Sequence, residues 1–437
     1  AGSALGDIGV DALAEAVGAL CRTDYARREG EPFSAKAYRV RRVGGVRYTY
    51  VKVTSGVLRA RDEVRTRSGV CKVAAILAPQ GGRLLPMGEA HAGQTAALAG
   101  LSARPGERIG DGFGLEAPET VPLMSVQVEP TAPLTQSALL AHLREMEEED
   151  PLLSVRPEAD GVSVGVMGAV QVEVLQGILA ARFGDVVRMC PPHVLYKETI
   201  AAPVVGIGHY EPLRHYAEVW LKLEPGAPGS GISFAADCPP NSLEENWQRL
   251  IRTHVFERAH PGVLTGSPLC DVRIRLIAGR AHLKHTEGGD FREATCRAIR
   301  NALMQAENVL LEPVVRFELA MPNEALARVT GELLRIGAQL DASETDGGET
   351  TLTGRCTAAM FWDYPTRFAA STHGHGRIAS RFERYEPCKN QDDIVRQSGY
   401  DPLADTLNPP GSVFCSHGAG FYVAWDHVRE WAHCEVE

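Results

Sequence analysis

The sequence predicts a multidomain α+β protein in which a small β-barrel precedes three α+β sandwich domains. The chain has 437 residues, too many for one ordinary core, because a domain usually holds about 100 to 200 residues. Residues 31–115 read as short strands without helices between them, which favours a barrel because closure removes exposed edges. Residues 118–387 mix apolar strands with amphipathic helices, which is typical of two-layer α+β domains.

The composition indicates a cytosolic protein with reduced thiols. Hydrophobic residues make up 44% of the chain and charged residues 23%. No segment approaches the run of about 20 apolar residues that spans a bilayer, and the first residues lack the pattern of an export signal. The ten cysteines are scattered singly without a CxxC pair, which argues against a disulfide framework or a zinc ribbon. We therefore expect a cytoplasmic protein with no membrane partner.

The net charge restricts how this chain can bind nucleic acid. A formal charge of -10 argues against binding over the whole surface, because phosphate neutralisation needs clustered lysine and arginine. Any RNA contact must be local. Arginines gather within residues 39–67 and again within residues 273–300. Both clusters are candidates, and solvated sheet and helix faces are the alternative.

The predicted elements divide the chain into six segments. The barrel strands are predicted at residues 33–40, 46–53, 63–67, 70–77 and 94–101. A linker at residues 116–122 follows, and then two split βαβ segments flank a segment with two helices and two unusual loops. The segments are 1–30 (linker), 31–117 (barrel), 118–198, 199–313 and 314–387 (α+β), and 388–437 (a C-terminal extension that forms an appendage without a core).

Helix boundaries follow from capping and spacing patterns. One helix is predicted over residues 135–149, and the next ends at Gly184. A third helix is predicted to begin at Ser242, because Ser242-Leu-Glu-Glu245 has the spacing of a capping box. A fourth is predicted to open at Asp290 after a polar stretch at residues 278–289. The helix before Gly184 is predicted to have one apolar face made of Val170, Val174, Ile178 and Leu179.

No motif supports catalysis by this chain, and we assign no catalytic residue. The P-loop pattern G-x-x-x-x-G-K-[ST] does not occur. The spacing G-x-S-x-G occurs at Gly161-Val-Ser-Val-Gly165, but Ser163 falls inside a predicted strand, so it is not a nucleophile elbow of the α/β-hydrolase kind. Gly229, Ser230 and Gly231 form the tip of a glycine- and proline-rich loop between strands. This tip is weak evidence for phosphate binding, because it has no lysine and no helix directly after it. A flexible loop is the alternative.

Several histidines raise the question of a metal site. His373 and His375 would share one face of a strand, but the glycines in Thr372-His-Gly-His-Gly376 favour a turn. Cys415-Ser-His417 lacks a second pair of ligands. We assign no metal ligand. A metal-dependent hydrolase is the alternative function of another class, and elemental analysis would separate the two.

Residues 281–290 hold the densest group of hydrogen-bonding side chains. His282, Lys284 and His285 can meet phosphates or bases, and Thr286 and Glu287 lie beside them. The glycines at 288 and 289 and the helix that follows favour a projecting finger. The predicted RNA-binding residues are therefore His282, Lys284, His285, Thr286, Glu287 and Gly288, with Gly229, Ser230 and Gly231 as a second tip. Solvated surface is the alternative.

Motifs along nearly the whole chain resemble elongation factor G. Residues 32–39 and 50–58 resemble the barrel that follows its GTPase domain, a translation-factor domain II. Glu148-Glu-Asp-Pro151 and Met167-Gly-Ala-Val-Gln-Val-Glu173 resemble the next domain, and Tyr196-Lys-Glu-Thr199 its end. Leu311-Glu-Pro313 resembles the junction into a ferredoxin-like last domain. The resemblance implies a ribosomal-protein-S5-like domain IV at 199–313.

The resemblance also implies which activity this chain lacks. Ser3, Ala4 and Leu5 are similar to the guanine-contacting segment that closes the GTPase domain. The sequence would then begin where that domain ends. We expect no cofactor and no enzymatic activity in this chain, whereas the full-length parent is expected to bind GTP and magnesium and to hydrolyse GTP.

Within the family, three features resemble the tetracycline ribosomal protection branch. They are Gly229-Ser-Gly231, Asp290-Phe-Arg292 and the extension beyond Pro387. The implied partner is the ribosome, at the small-subunit RNA of the decoding centre, with tetracycline involved indirectly and the protein a monomer. The finger sequence differs from that branch, so a translocase-like factor or another ribosome-associated GTPase without drug release is the alternative.

Overall fold

The computed structural model describes residues 2–112, 114–115, 121–158 and 161–434. Their contacts form two units: residues 1–122 with 126–191, and residues 123–125 with 192–437. We call these unit 1 and unit 2. The predicted linker at residues 116–122 lies mostly outside the described residues. Within the part that the structure describes, no helix is long and apolar enough to cross a membrane.

Unit 1 begins with two helices and a β-rich segment. Seven strands form one antiparallel sheet in the order β11-β10-β1-β2-β9-β6-β7, and β3 pairs with β8 and β4 with β5. The elements are α1 Val10–Leu20, α2 Tyr25–Arg28, β1 Ser34–Val43, β2 Val46–Ser55, β3 Val57–Arg59, β4 Glu63–Thr66, β5 Gly69–Lys72, β6 Ala75–Gln80, β7 Arg83–Pro86, β8 Glu89–His91, β9 Thr95–Ala99, β10 Glu107–Gly110 and β11 Gly114–Leu115.

The sequence predicts a closed or nearly closed barrel, and no closed barrel is detected among the described strands. The four strands outside the main sheet have three or four residues each and pair among themselves, so none of them joins β7 to β11. The predicted strand at residues 70–77 is two strands. The chain changes partner at Val73, because β5 pairs with β4 whereas β6 pairs with β9.

The rest of unit 1 is a split βαβ layer, as predicted. Its sheet has the order β13-β14-β12-β15. Thr135 caps α3 by accepting a hydrogen bond from the Ala138 N–H at 3.2 Å. The apolar face predicted for α4 is wrong, because Leu175 and Leu179 are buried whereas Val170, Val174 and Ile178 are exposed. The elements are β12 Met124–Pro130, α3 Gln136–Glu149, β13 Arg156–Pro157, β14 Val162–Val166, α4 Ala169–Phe183 and β15 Val187–Met189.

Two arginines of the first predicted RNA-binding cluster serve the internal packing of unit 1. The guanidinium groups of Arg42 and Arg47 each lie 3.2 Å from Glu148 on α3. Arg47 also donates to the carbonyl oxygen of Ala103 at 2.7 Å. These side chains hold β1 and β2 against α3, so they are not free to neutralise phosphate.

Unit 2 has one mixed sheet and one antiparallel sheet. One has the order β20-β21-β19-β18-β26-β27, and the other has the order β17-β22-β24-β23 with β25 also paired to β22. The elements are β16 His193–Val194, β17 Lys197–Ile200, β18 Val204–Tyr210, β19 Ala217–Pro225, β20 Ile232–Ala236, α5 Glu245–Phe256, β21 Val272–Ala281, α6 Gly288–Gln305, β22 Asn308–Pro322, α7 Leu326–Arg335, β23 Gln339–Asp346, β24 Glu349–Thr357, α8 Ala358–Phe361, α9 Tyr364–Ser371, β25 Arg377–Pro387, α10 Gln391–Ser398, β26 Ser412–Ser416, β27 Ala419–Val423 and α11 Val428–Trp431.

Helices α5 and α6 cover one face of the six-stranded sheet. Helix α6 lies directly on β18, where Gly206 and Gly208 have no side chains. A Cβ at Gly208 would be 1.8 Å from the Ala294 carbonyl oxygen, and one at Gly206 would be 2.1 Å from that of Ala298. The glycines therefore permit a helix–sheet distance that no other residue allows.

The C-terminal segment covers the other face of this sheet. Strand β26 runs parallel to β18, with Val413 opposite Tyr210. The side chain of Phe414 on β26 is buried in a cluster with Ile207 and Trp220 of the sheet. Val428 of α11 also belongs to that cluster. The prediction that residues 388–437 form an appendage without a core is therefore wrong. The segment is needed to bury apolar side chains of β18 and β19.

Three predicted boundaries in unit 2 also differ from the structure. Helix α5 begins at Glu245, and the N–H of Ser242 bonds the Pro239 carbonyl in a turn, so Ser242 is not its cap. Helix α6 begins at Gly288, two residues before the predicted start. Strand β22 is continuous through the predicted domain boundary at residue 313. The turn predicted at Thr372-His-Gly-His-Gly376 is confirmed, with His373 and Gly374 at φ values of 49° and 78°.

Arg300 of α6 anchors the segment that leads to β26. Its buried guanidinium donates to the carbonyl oxygens of Pro261 and Gly262 at 3.1 and 2.7 Å, and to the Tyr400 hydroxyl at 2.7 Å. We expect Arg300→Met to lower the free energy of unfolding by about 2 kcal/mol, because these buried acceptors lose their donor. Urea denaturation measures this. Arg249→Ala, an exposed change on α5, should cost less than about 0.5 kcal/mol, and equal losses would contradict the anchoring role.

Candidate functional site

The predicted finger is a short closed turn at residues 282–287, which we call the finger turn. It connects β21 to α6. The N–H groups of His285 and Thr286 donate to the His282 carbonyl at 3.2 and 3.1 Å. The Thr286 hydroxyl accepts from the His282 N–H at 2.7 Å. Because β21 extends to Ala281, the first residues of the predicted polar stretch are strand.

The side chains of the finger turn present cations and ring faces to solvent. The rings of His282 and His285 are stacked with centroids 4.6 Å apart and planes at 21°. The Lys284 N–H donates to Nδ1 of His282 at 3.2 Å, so neutral His282 has its proton on Nε2. The side chain of Leu283 is fully exposed. This arrangement suits contact with phosphates and with the faces of bases.

The carboxylates next to the finger turn are committed to other donors. Glu287 and Asp290 form a capping box at the start of α6, in which the Glu287 N–H donates to Asp290 at 2.8 Å. Nδ1 of His215 lies 2.8 Å from the other Asp290 oxygen. Glu287, predicted to bind RNA, therefore caps the helix. Among the described residues, no carboxylate lies within ion-pair distance of Lys284.

A second loop, which was not predicted from the sequence, lies beside the finger turn. This is the connection between β18 and β19, residues 211–216. The Thr286 hydroxyl donates to the Tyr216 carbonyl at 2.6 Å, and His215 contacts Asp290 as described. Pro212 and three polar residues between two apolar strands were the available signal for this loop.

The loop of Gly229, Ser230 and Gly231 lies at the opposite end of the sheet. It pairs with residues at the start of β21, whereas the finger turn follows the end of that ten-residue strand. At about 3.3 Å per residue, the two tips are roughly 30 Å apart. The N–H groups of Gly229 and Gly231 donate to the Asp271 carboxylate at 3.0 and 2.8 Å. The two predicted tips therefore lie too far apart to form one contact surface, and an RNA contact at Gly229, Ser230 and Gly231 stays a prediction.

A buried polar cluster joins the six-stranded sheet to the C-terminal segment. Nδ1 of His209 donates to Glu218 at 2.7 Å, and its Nε2 lies 3.1 Å from Glu211. Glu218 also accepts from Trp220 Nε1 and from the N–H groups of His433 and Cys434, at 2.7 to 2.8 Å. Burial raises the pKa of Glu218, but these donors outweigh burial and lower it to about 2.

The same cluster is the one group of the described residues with metal-ligand spacing. Ligand atoms of His209, Glu218 and His433 all lie within 4.8 Å of one another. Each Glu218 oxygen already accepts two hydrogen bonds, and Nδ1 of His433 lies 3.0 Å from the Tyr216 hydroxyl. A cation would have to replace these bonds. The donor set therefore fits a structural junction better than the metal centre of a hydrolase.

An open pocket of about 780 Å³ lies between the finger turn and the C-terminal segment. Its wall includes the guanidinium of Arg280, which belongs to the arginine cluster predicted at residues 273–300, and the imidazole of His433, which was not predicted to bind RNA. The lining residues are Tyr216, Arg280, Ala281, His282, Leu283, Lys284 and His433.

The predicted guanine-contacting residues form an exposed turn. The Gly6 N–H donates to the Ser3 hydroxyl at 3.1 Å, and the Ile8 N–H donates to the Ser3 carbonyl at 3.0 Å. Ala4 and Leu5 are exposed at the tip of this turn. Within the described residues, the geometry does not gather further polar groups around them, so a guanine-contacting role for these residues stays a prediction.

Comparison with known families identifies the class of most of unit 2, up to residue 394. Residues 192–307 match the family model of elongation factor G, domain IV, and residues 309–394 match that of the elongation factor G C-terminus. This part of the chain is therefore elongation factor G-like. The finger turn, the loop at 211–216 and both helices lie within the domain IV match.

One solved structure extends the likeness in fold to most of the chain. It is the crystal structure of ttk003000868 from Thermus thermophilus, with a TM-score of 0.54 and 24% sequence identity. The match covers 90% of this chain and 61% of that chain. At this identity the likeness concerns the fold. The chain thus spans about three fifths of the length of that structure.

Proposed function

We propose that this chain is the ribosome-binding part of an elongation factor G-like translational GTPase. The finger turn of domain IV would enter the decoding centre of the small subunit. The observation that carries the proposal is the exposed Lys284 beside two stacked imidazoles, on a domain IV sheet. GTP and magnesium would bind to a GTPase domain outside this chain, and the protein would act in the cytoplasm as a monomer.

The charge distribution gives this proposal a physical basis. The chain carries a formal charge of -10, so its average surface repels RNA. At the finger turn, Glu287 and Asp290 are held by capping bonds, whereas Lys284 is left to interact with an incoming phosphate. Contact with RNA is thereby restricted to one end of the six-stranded sheet. This supports insertion of that end of the domain into the decoding centre.

Within the family, we propose the tetracycline ribosomal protection type, with antibiotic resistance as its outcome. Support comes from Asp290-Phe-Arg292 at the start of α6 and from the C-terminal segment that packs on β18. A translocase-like or other factor without drug release is the second candidate. The finger turn itself favours the second candidate, because its sequence His-Leu-Lys-His-Thr-Glu lacks the tyrosine and Ser-Pro residues of the protection branch.

The finger turn can be tested with this chain alone. We expect the double variant Lys284→Ala/His285→Ala to bind small subunits about tenfold more weakly, because it loses one phosphate contact and one stacking face. Co-sedimentation at fixed ionic strength measures this, and thermal unfolding should be unchanged. Arg249→Ala removes one positive charge elsewhere in the same domain and should bind normally. A variant that loses both binding and stability would refute the assignment.

Drug release distinguishes the two candidates. The measurement is co-sedimentation of the full-length protein with ribosomes, a non-hydrolysable GTP analogue and labelled tetracycline. Nucleotide-promoted binding that expels the drug supports the protection type. Binding with the drug retained supports a different ribosomal task, and absence of binding refutes the proposed function.

A further inference from the structure

We propose that the pocket between the finger turn and the C-terminal segment binds one unpaired nucleotide of a single-stranded RNA. Its phosphate would bind to Arg280 and Lys284, and its base would lie against His282 and Leu283. This inference rests on the proposed function, since it names the ligand at the same end of domain IV. It assigns a phosphate-binding role to Arg280 and a place in the pocket wall to His433, and both residues lie outside the finger turn.

The pocket combines the two surfaces that a nucleotide needs. Arg280 and Lys284 supply cationic donors on its rim, and both side chains are exposed. Ala281 and Leu283 supply apolar contact. The exposed His282 ring is stacked on His285 and lies 6.3 Å from the Tyr216 ring at 57°, and its exposed part is available for contact with a base. A free metal or a purely apolar ligand would use only one of these surfaces.

The charge of the pocket is uncompensated by the described part of the chain. Glu218, opposite Arg280 in the pairing of β19 with β21, is buried and already accepts four hydrogen bonds. Asp290 is bound to His215 and to the helix start. Within the ranges that the structure describes, no carboxylate is in ion-pair contact with Arg280 or Lys284. An anion is therefore the ligand that the electrostatics favour.

The C-terminal segment completes the pocket wall. His433 is fixed from three sides, by its N–H to Glu218, by its carbonyl to Arg280 at 3.4 Å, and by Nδ1 to Tyr216. Its ring lies nearly parallel to that of Tyr216, with centroids 5.8 Å apart and planes at 13°. Tyr216 also bonds the finger turn through Thr286. The finger turn and His433 are thus both bonded to Tyr216, which fixes the two walls of the pocket relative to each other.

The test is fluorescence anisotropy of a short labelled single-stranded RNA with the wild-type chain and three variants. We expect Arg280→Ala to weaken binding about tenfold, because the phosphate loses a bidentate donor. Arg280→Lys should recover part of the affinity. Arg273→Ala, on the same strand at its other end and also exposed, should change affinity less than about twofold. Equal affinity of Arg280→Ala and wild type would overturn the proposal.

Two further measurements identify the source of the bound phosphate. A third distinguishes failure of this proposal from failure of the proposed function. A matched RNA hairpin should bind more weakly than the single strand, and inorganic phosphate should compete only at far higher concentration. Competition by phosphate at RNA concentrations would overturn the nucleotide assignment in favour of a free-anion site. Ribosome co-sedimentation is measured in parallel, because wild type that binds the RNA but not ribosomes refutes the proposed function alone.

Discussion

Replacing Glu218 with glutamine should lower the free energy of unfolding of unit 2 by about 3–5 kcal/mol. The carboxylate accepts four hydrogen bonds while buried, and an amide nitrogen in its place would put a donor against the N–H donors. Urea denaturation followed by tryptophan fluorescence, to which the buried Trp220 contributes, measures the loss. Glu211→Gln is the matched control. Glu211 is only partly buried and bonds the other nitrogen of His209, so its replacement should cost about 1 kcal/mol.

The pH dependence of the Glu218 contribution has a definite sign. The folded pKa is about 2, below the ordinary 4.5 of a glutamate, so the contribution is fully present above pH 4.5 and is lost as the pH falls from there towards 2. The difference in stability between wild type and Glu218→Gln should therefore be constant from about pH 6 to 8 and should shrink below pH 4.5. A difference that grows on acidification would contradict the assignment.

Gly208→Ala should destabilise unit 2 by about 3 kcal/mol or more. The added Cβ would stand 1.8 Å from the Ala294 carbonyl oxygen, so α6 and β18 must separate along their contact. Thermal or urea unfolding measures the effect, and loss of soluble protein is its extreme form. Gly331→Ala is the control, because among the described residues nothing lies within 4 Å of that Cβ in helix α7, and it should stabilise by up to about 1 kcal/mol. Equal stability of both variants would show that β18 and α6 can separate without lowering the free energy of unfolding, which would contradict the prediction.

Features specified by neighbouring residues were predicted from the sequence. Helix α3 with its buried Leu139, Leu143 and Met146 follows from spacing along one helix face, whereas the cap by Thr135 was not predicted. The turn at residues 372–376 follows from its two glycines. The finger turn was located because polar residues interrupt an apolar pattern, although its closed form depends on bonds from Thr286 to His282 and Tyr216.

Features specified by distant residues could not be predicted in this way. Nothing near residue 413 indicates that it pairs with Tyr210, and parallel pairing over such a separation has no local signal. His209 lies in a strand among apolar residues, and its partner Glu218 is recognisable only once β18 and β19 are paired. Gly206 and Gly208 suggest a turn by composition, whereas they lie inside a strand where a helix packs closely. Likewise, only the order of the strands shows that the finger turn and the loop at residues 229–231 lie at opposite ends of the sheet.

The parallel pairing of β26 with β18 has a consequence for synthesis of this chain. The His209 N–H donates to the hydroxyl of Ser412, 203 residues later. A chain is synthesised from its N-terminus, so residues 309–394 are made before β26. Until then the face of β18 and β19 that carries Ile207 and Trp220 is exposed to solvent. A product released before residue 412 would retain both helices and the finger turn but would expose that apolar surface. Such fragments should be ready substrates for chaperones and proteases.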